Sequence, residues 1–468
     1  MASAAGSIRM RDRAIGYVQA SASAEALLCG YRKRFLSPVE VTEAALARID
    51  SLDGELGAMV VVLKDLAREQ GREAELAWKS GGNARPLEGV PVTIKDTFDL
   101  AGSVSTRGSR VFARSLAYED SGVVRRLRAA GAILIGKTNT AEFGQSATSE
   151  NCLGMVTRNP WQTALTPGGS SGGAAVSVAA GYVPLALGAD GGGSIRIPAA
   201  MTGTFGFKPT YGLCPDEGGF RGMSDFCCPG PFANSVADAR LFLSVLAERD
   251  FAGRAVAKDK RIGFCLRPDG RPVDHGIQAA VLETARCLTD LGHAVEELRL
   301  DLDGWNDAFG PLVLREEWQE RGHFLDYCAG ELTDYEYASL QAARDLTTDK
   351  IKRARRQHLA YRARIATLFE RYDALLLPTT ASPAFPIDTR PQEIAGEPVG
   401  RLWGAFPFTS AFNVGGNPAA ALPAGLSNGL PVSAQLVGAC GQDAALLDLA
   451  EDLEGALAFS ARYRKVAA

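Results

Sequence analysis

The sequence predicts an α/β fold, and three features carry that prediction. From Gly89 onward a short apolar segment, Val92–Asp96, gives way to an amphipathic stretch over 121–130 and then to the unbroken apolar run Ala132–Ile135. That order reads as strand, helix, strand. Ala374–Pro378 and the segments NPAAALPAGL and LPVSAQLVG later in the chain have the same strand-like texture, ahead of a terminal helix from about Asp443. The composition, with 46% hydrophobic and 22% charged residues in 468, suits a globular chain with a large core.

Taken in order, residues 1–36 form an N-terminal segment. Ser37, Pro38 and Glu40 then make a helix start, with Ser as cap, Pro in the first turn and Glu three residues after the cap. This predicts a helix to about Asp50, with mostly helical texture continuing from Glu55 to Trp78 and a loop at 81–86. Val92–Asp96 is a strand with Lys95 at its end, and 121–130 is a helix. Ala132–Ile135 is a strand buried on both faces. Thr166–Ala200 is the part of the chain richest in Gly and Ser: TPGGSSGGAA, a small-residue helix to about Ala180, an apolar Val183–Leu187 and then ADGGGSIRIPAA. Such glycine density permits close approach of backbone to backbone or to a ligand. Residues 339–371 read as one long amphipathic helix. Length alone leaves the domain count open, and no fixed-period repeat is visible.

Charge and cysteine usage exclude several classes. Fifty Lys plus Arg against fifty-four Asp plus Glu give a net charge of −4. The one basic run is Lys352-Arg353-Ala354-Arg355-Arg356, so no nucleic-acid partner is expected. The opening MASAAGSIRMRDRAIGYVQA lacks the apolar core of a secretory signal, and no eighteen apolar residues run together, so no membrane association is expected either. The nine cysteines stand singly except for Cys227-Cys228, with no zinc-ligand spacing. They predict a reduced, cytoplasmic protein, and nothing in the sequence implies a metal or an organic cofactor.

A nucleophilic serine needs a base, most often histidine. The four histidines, His275, His293, His323 and His358, all lie C-terminal to the Gly/Ser-rich region and outside any motif. Lysine is the better candidate, and Lys95, closing an apolar strand beside Asp96, is the one to consider. An ordinary lysine titrates near about 10.4, but burial lowers that by about 3 or more, into a useful range for a base. The same spacing also fits a structural Lys95–Asp96 ion pair. Gly168-Gly169-Ser170-Ser171-Gly172-Gly173 puts two hydroxyls at a helix N-terminus, where free N–H groups favour negative charge. Asp190-Gly191-Gly192-Gly193-Ser194 sets a third serine behind three glycines whose N–H groups can converge on one oxygen. Each loop taken alone also fits a tight turn. Gly131–Thr138 matches the phosphate-loop pattern G-x-x-x-x-G-K-T, but its Ala-Ile-Leu-Ile interior favours a sheet over a loop curled around an anion.

These residues together resemble the amidase signature family. Lys95 in GVPVTIKDTFD, Ser170 in TPGGSSGGAA and Ser194 in ADGGGSIRIPAA match its core pattern, with the family's spacing between the two serines. LEGVPVTIKD, GAILIGKTNTAEFG, TRNPW, GFKPTYG, DALLLPT and the GNPAAALPAG…GLPVSAQLVG ending extend the likeness over roughly 37–455. The resemblance implies a large mixed β-sheet of about eleven strands flanked by α-helices. It implies one amidase-signature domain over 37–468, with a signature core at about 90–215 and a variable substrate-side region at about 216–410. It also implies catalytic Lys95, Ser170 and Ser194, with a cis peptide before Ser170, through an acyl-enzyme. The oxyanion hole would comprise the N–H groups of Gly191, Gly192, Gly193 and Ser194, with Ser171, Asp190 and Arg196 in support.

Two departures from the family pattern bear on substrate. Gly191 stands where a larger residue is common, which would loosen the oxyanion loop or open room for a bulkier acyl group. SDFCCPGP at 224–231 brings Cys227 and Cys228 to a region that often borders the substrate, although both also suit small buried positions. Trp318, Phe324, Tyr327, Trp403 and Phe408 are candidates for a pocket wall or for core. The expected activity is cleavage of a small-molecule amide, with esters or carbamates as further substrates. The alternatives are the glutamine-hydrolysing subunit of a tRNA-dependent amidotransferase, against which Ile197 replaces the glutamine of GGSIRQPA, and a catalytically silent binding or scaffold protein. The oligomeric state stays open, a homodimer included.

Overall fold

The computed structural model describes residues 23–81, 84–251, 253–254 and 258–458. The N-terminal stretch judged not to be a secretory signal lies outside the described residues, as do Gly82 and Asn83 of the loop at 81–86. The strands are, in chain order, β1 (Met59–Val62), β2 (Pro91–Lys95), β3 (Ile133–Thr138), β4 (Leu185–Asp190), β5 (Phe205–Lys208), β6 (Cys228–Ala233), β7 (Arg261–Phe264), β8 (Ala294–Glu297), β9 (Ala374–Pro378), β10 (Glu393–Ile394), β11 (Glu397–Pro398), β12 (Ala419–Ser427) and β13 (Leu430–Gly438). Eleven of them form one mixed sheet in the order β1-β3-β2-β4-β6-β5-β12-β13-β9-β7-β8, while β10 and β11 pair separately.

Alternation along single strands shows why the central sheet is buried on both faces. Ile133 and Ile135 of β3 enter one core cluster while Leu134 enters the other; on β4, Ala186 faces the first and Leu185 and Leu187 the second. Strand β3 also settles the phosphate-loop match. It continues through Gly136, Lys137 and Thr138, which pair with Val62 and Val61 of β1 and with Lys95 of β2. A backbone committed to a ladder on both sides cannot curl its N–H groups around an anion.

Ser37 caps its helix as predicted, its Oγ accepting from the N–H groups of Val39 and Glu40. That helix runs to Leu56 rather than Asp50, because Leu52 and Leu56 still pack on the core, and it stops at Gly57 with φ 58°. Glu55–Trp78 is mostly helical, as expected, but β1 interrupts it before the helix Lys64–Ser80, and a strand of four residues is too short to display a period. One expectation is corrected. Residues 339–371 form two helices, Asp334–Arg344 and Thr348–Arg371. Thr347 starts the second by accepting from the Lys350 N–H at 3.3 Å. Within 1–36, a helix at Ala24–Arg32 is tied to the main body by Asp238, which accepts from the N–H groups of Ala24 and Glu25.

One topological fact positions the site. Strands β2 and β4 are parallel neighbours, registered Val92 to Leu185 and Ile94 to Leu187. Their carboxyl ends, Lys95 and Asp190, therefore emerge on the same edge of the sheet, where ligands characteristically bind in parallel sheets. The loop after Asp190 leads into the helix Arg196–Thr202, and the segment ending in Ser171 leads into the helix Gly172–Ala179.

Candidate functional site

Lys95 is 2% exposed, and its Nζ donates to Ser170 Oγ at 2.6 Å. The ion pair with Asp96 that the sequence also allowed does not form. Successive side chains of a strand point to opposite faces, and Asp96 is instead held by Lys137 at 2.9 Å, both side chains fully buried, and by the Thr106 N–H and hydroxyl. Burial pulls Lys95 from 10.5 down to about 8 against the opposing influence of Cys227 and Asp190. A lysine so placed has a substantial neutral fraction near physiological pH.

Ser170 follows a cis peptide bond from Gly169. Ser171 ties its loop to the next one: its Oγ donates to the Ala189 carbonyl at 3.1 Å and its N–H to the Ser194 carbonyl at 3.2 Å. Among the described residues the Ser194 hydroxyl has no protein partner. It lines the same cavity, of about 300 Å³, as Lys95 and Ser170.

The loop from Asp190 to Ser194 is shaped by a buried ionic knot. Arg196, fully buried, donates from Nε and Nη2 to the two oxygens of Asp190, both at 2.9 Å. It also donates to the Thr409 carbonyl, Gln435 Oε1 and Asn413 Oδ1. Burial alone would raise the Asp190 carboxyl, but the Arg196 charge and its hydrogen bonds hold it far below the usual carboxylate range. Asp190 also accepts from the N–H groups of Gly193, Ile195 and Arg196. This narrows the expected oxyanion set: the Gly193 N–H is spent on Asp190 at 2.8 Å, whereas among the described residues those of Gly191, Gly192 and Ser194 have no protein acceptor. The Gly192 carbonyl is pinned by the hydroxyls of Thr409 at 2.7 Å and Ser410 at 2.9 Å, which fixes the peptide planes of the loop.

A second cavity, of about 240 Å³, opens on the other side of Ser194; Gly144, Ser194 and Met223 line both. The space expected at Gly191 is not open, since a Cβ there would lie 2.6 Å from Met223 Sδ. Cys227 lines the first cavity, and burial pushes its thiol up to about 12, so it stands there as a neutral group; Cys228 is buried in β6. None of the nine cysteines forms a disulfide. Of the candidate aromatics Trp403 lines the second cavity, Phe324 and Phe408 are core, and Trp318 and Tyr327 are exposed. No histidine lines either cavity; His358, for one, bonds the Val414 carbonyl. Thr409, Ser410, Asn413 and Gln435 were not anticipated. They lie more than 200 residues from the loop they hold, and polar residues in an apolar stretch carry no local sign of a distant partner.

Comparison with known proteins agrees on one family. The family model described as Amidase matches residues 40–447. The chain is 34% identical to a glutamyl-tRNA(Gln) amidotransferase subunit of Symbiobacterium thermophilum, over 89% of this chain and 92% of that one. It is 35% identical to a putative amidase, AmiB2, of Mycobacterium bovis, over 91% and 94% of the two chains. Among solved structures, a bacterial aryl acylamidase belonging to the amidase signature enzymes superposes with a TM-score of 0.87 at 30% identity, covering 95% of this chain and 98% of that one.

Proposed function

The chain belongs to the amidase signature family, and on that premise we propose that it is a free-standing amide hydrolase with Ser194 as nucleophile, Ser170 as proton relay and Lys95 as base. Family membership supports a hydrolase acting on carbon–nitrogen bonds. The observation that carries the finer reading is the buried Lys95 Nζ, free of any carboxylate hydrogen bond and 2.6 Å from Ser170 Oγ.

In the reaction, the neutral Lys95 amine accepts the Ser170 hydroxyl proton while Ser170 takes the proton of Ser194. The Ser194 oxygen then bonds to the substrate carbonyl carbon. The developing oxyanion is met by the N–H groups of Gly191, Gly192 and Ser194, and donors of this kind are worth about 2.7–4 kcal/mol each where they have been removed. Collapse breaks the C–N bond as Ser170 passes a proton to the departing nitrogen, leaving an ester on Ser194. Water, deprotonated along the same relay, then hydrolyses that ester and restores the free hydroxyl. Asp190, Arg196 and Ser171 are positioning residues. Esters and carbamates present the same carbonyl carbon and fall within the same chemistry.

The second reading, a glutamine-hydrolysing component of a tRNA-dependent amidotransferase, has in its favour the identity to such a chain. Against it, Ile197 brings an apolar side chain to the second cavity, where the motif of that component carries glutamine. The test is to incubate the chain alone with linear carboxamides, anilides, esters, carbamates and free glutamine. Release of amine or ammonia from amides, lost in Ser194→Ala, is the expected result. Turnover of glutamine alone, and only after a partner chain is added, would overturn the free-standing reading.

A further inference from the structure

The two cavities that meet at Ser194 are chemically unequal, and the difference assigns them. Ser170, which must hand its proton to the leaving nitrogen, lines the first cavity and not the second. The leaving group therefore occupies the first cavity and the acyl group the second. This assignment rests on the hydrolase reading above.

The second cavity has apolar walls, Ile197, Phe309, Val313 and Trp403 among them, and a polar side that includes Gln145, Asn306, Glu317 and Tyr335. Gln145 follows Gly144, the glycine shared by both cavities. Its Nε2 donates to Glu317 Oε1. Glu317, fully buried, is gripped through both oxygens by Arg321, whose Nε lies 2.7 Å from Oε2. A carboxylate engaged by a guanidinium only accepts, so the amide must present its NH2 to Glu317. That fixes the rotamer and leaves Gln145 Oε1, which has no hydrogen bond among the described residues, as a fixed acceptor. Glu336 completes the cluster: fully buried, 3.7 Å from Arg321 Nε and, among the described residues, with no hydrogen-bond donor to either oxygen. Burial and the Glu317 charge push its carboxyl well above the ordinary range.

We propose that Gln145, held by Glu317 and Arg321, is a specificity-determining residue that selects acyl groups carrying an N–H or O–H donor. A purely apolar acyl group would desolvate Gln145 Oε1 without replacing its hydrogen bond to water, the loss that lets polar pockets discriminate strongly.

The test uses alkyl fluorophosphonates that carry one secondary amide three, four or five atoms from phosphorus, each paired with its N-methyl twin, which has no donor. The rate of Ser194 labelling is followed by mass spectrometry. In the wild-type chain the secondary amide is expected to label about tenfold faster than its twin for at least one spacing. In Gln145→Leu that ratio falls to near one. The ratio is internal to each variant, so a change in overall reactivity does not move it, and a thermal melt checks that the variant is folded. Equal labelling by every pair in the wild type, with Ser194 reacting, overturns the specificity proposal and leaves the hydrolase reading standing. A ratio that persists in Gln145→Leu overturns the assignment to Gln145. Failure of every probe to label Ser194 in the folded wild-type protein overturns both.

Discussion

Asp96, one residue past the end of β2, and Lys137 of the neighbouring parallel strand β3 lie 2.9 Å apart with both side chains fully buried. The pair takes up the one carboxylate next to Lys95 in sequence, and among the described residues no carboxylate lies within ion-pair distance of Lys95. Burial outweighs the more distant Asp190 charge and favours the neutral amine, and the proposed base depends on that form.

The first prediction concerns pH. Activity requires neutral Lys95, so kcat/KM should rise about tenfold per pH unit below pH 8 and level off above it. Stability carries the same signature. The folded value near 8 lies below the ordinary 10.5, so between those pH values the unfolded chain binds a proton that the folded chain does not. Stability attributable to Lys95 therefore rises with pH across that window. Below pH 8 the chain carries the cost of a buried ammonium, about 3 kcal/mol. Lys95→Met, which does not titrate, should be more stable than the wild type by about that amount at pH 7 in urea unfolding, with the gap closing towards pH 10.5. A gap independent of pH would contradict the assignment.

The two serines should fail differently. Ser194→Ala removes the atom that bonds to carbon and should abolish both turnover and the trapped acyl-enzyme. Ser170→Ala removes a proton relay and should slow turnover about 10²–10⁴-fold while still allowing Ser194 to be acylated by an activated ester. Single-turnover kinetics with mass detection of the acyl-enzyme separates the two.

Arg196 should not tolerate its usual replacement. Lysine keeps the charge but not the planar fork that reaches Asp190, Asn413, Gln435 and the Thr409 carbonyl together. Arg196→Lys should cost about 3–5 kcal/mol, the range for breaking a buried pair. Denaturant midpoints measure it, and a loss below about 1 kcal/mol would show that the knot does not hold the loop.

Gly193 is a steric requirement of the same loop. Its φ is 128°, and a Cβ would run into Thr409 Oγ1 and lie 2.7 Å from Ile197 Cδ1. Gly193→Ala should lower kcat far more than it raises KM, because the displaced backbone carries the oxyanion donors while the cavity walls stay. An unchanged kcat in the folded variant would exclude that role.

The sequence displayed what local pattern can display. Apolar runs marked β2, β3, β9, β12 and β13, and the glycine-rich loops marked the ends of strand and helix where Ser170 and Ser194 stand. It did not display what depends on distant partners. Strand β1 is too short to show a period, the break at Thr347 is a cap inside an otherwise continuous amphipathic pattern, and Thr409, Ser410, Asn413 and Gln435 meet the Asp190 loop only in the folded chain. The Gly193 N–H was expected in the oxyanion set because the three glycines look alike in sequence. Only the position of the Asp190 carboxylate distinguishes them. The choice of partner for Asp96 was open for the same reason, since Lys95 is adjacent in the chain and Lys137 is adjacent across the sheet.

The central claim is that Ser194 is activated through Lys95. A fluorophosphonate probe applied at pH 8 to the wild-type chain and to Lys95→Ala, with the labelled peptide mapped by mass spectrometry, tests it most directly. The account predicts a single modified residue, Ser194, and a labelling rate at least about 10²-fold lower in the variant. Labelling elsewhere, or an equal rate without Lys95, would contradict it.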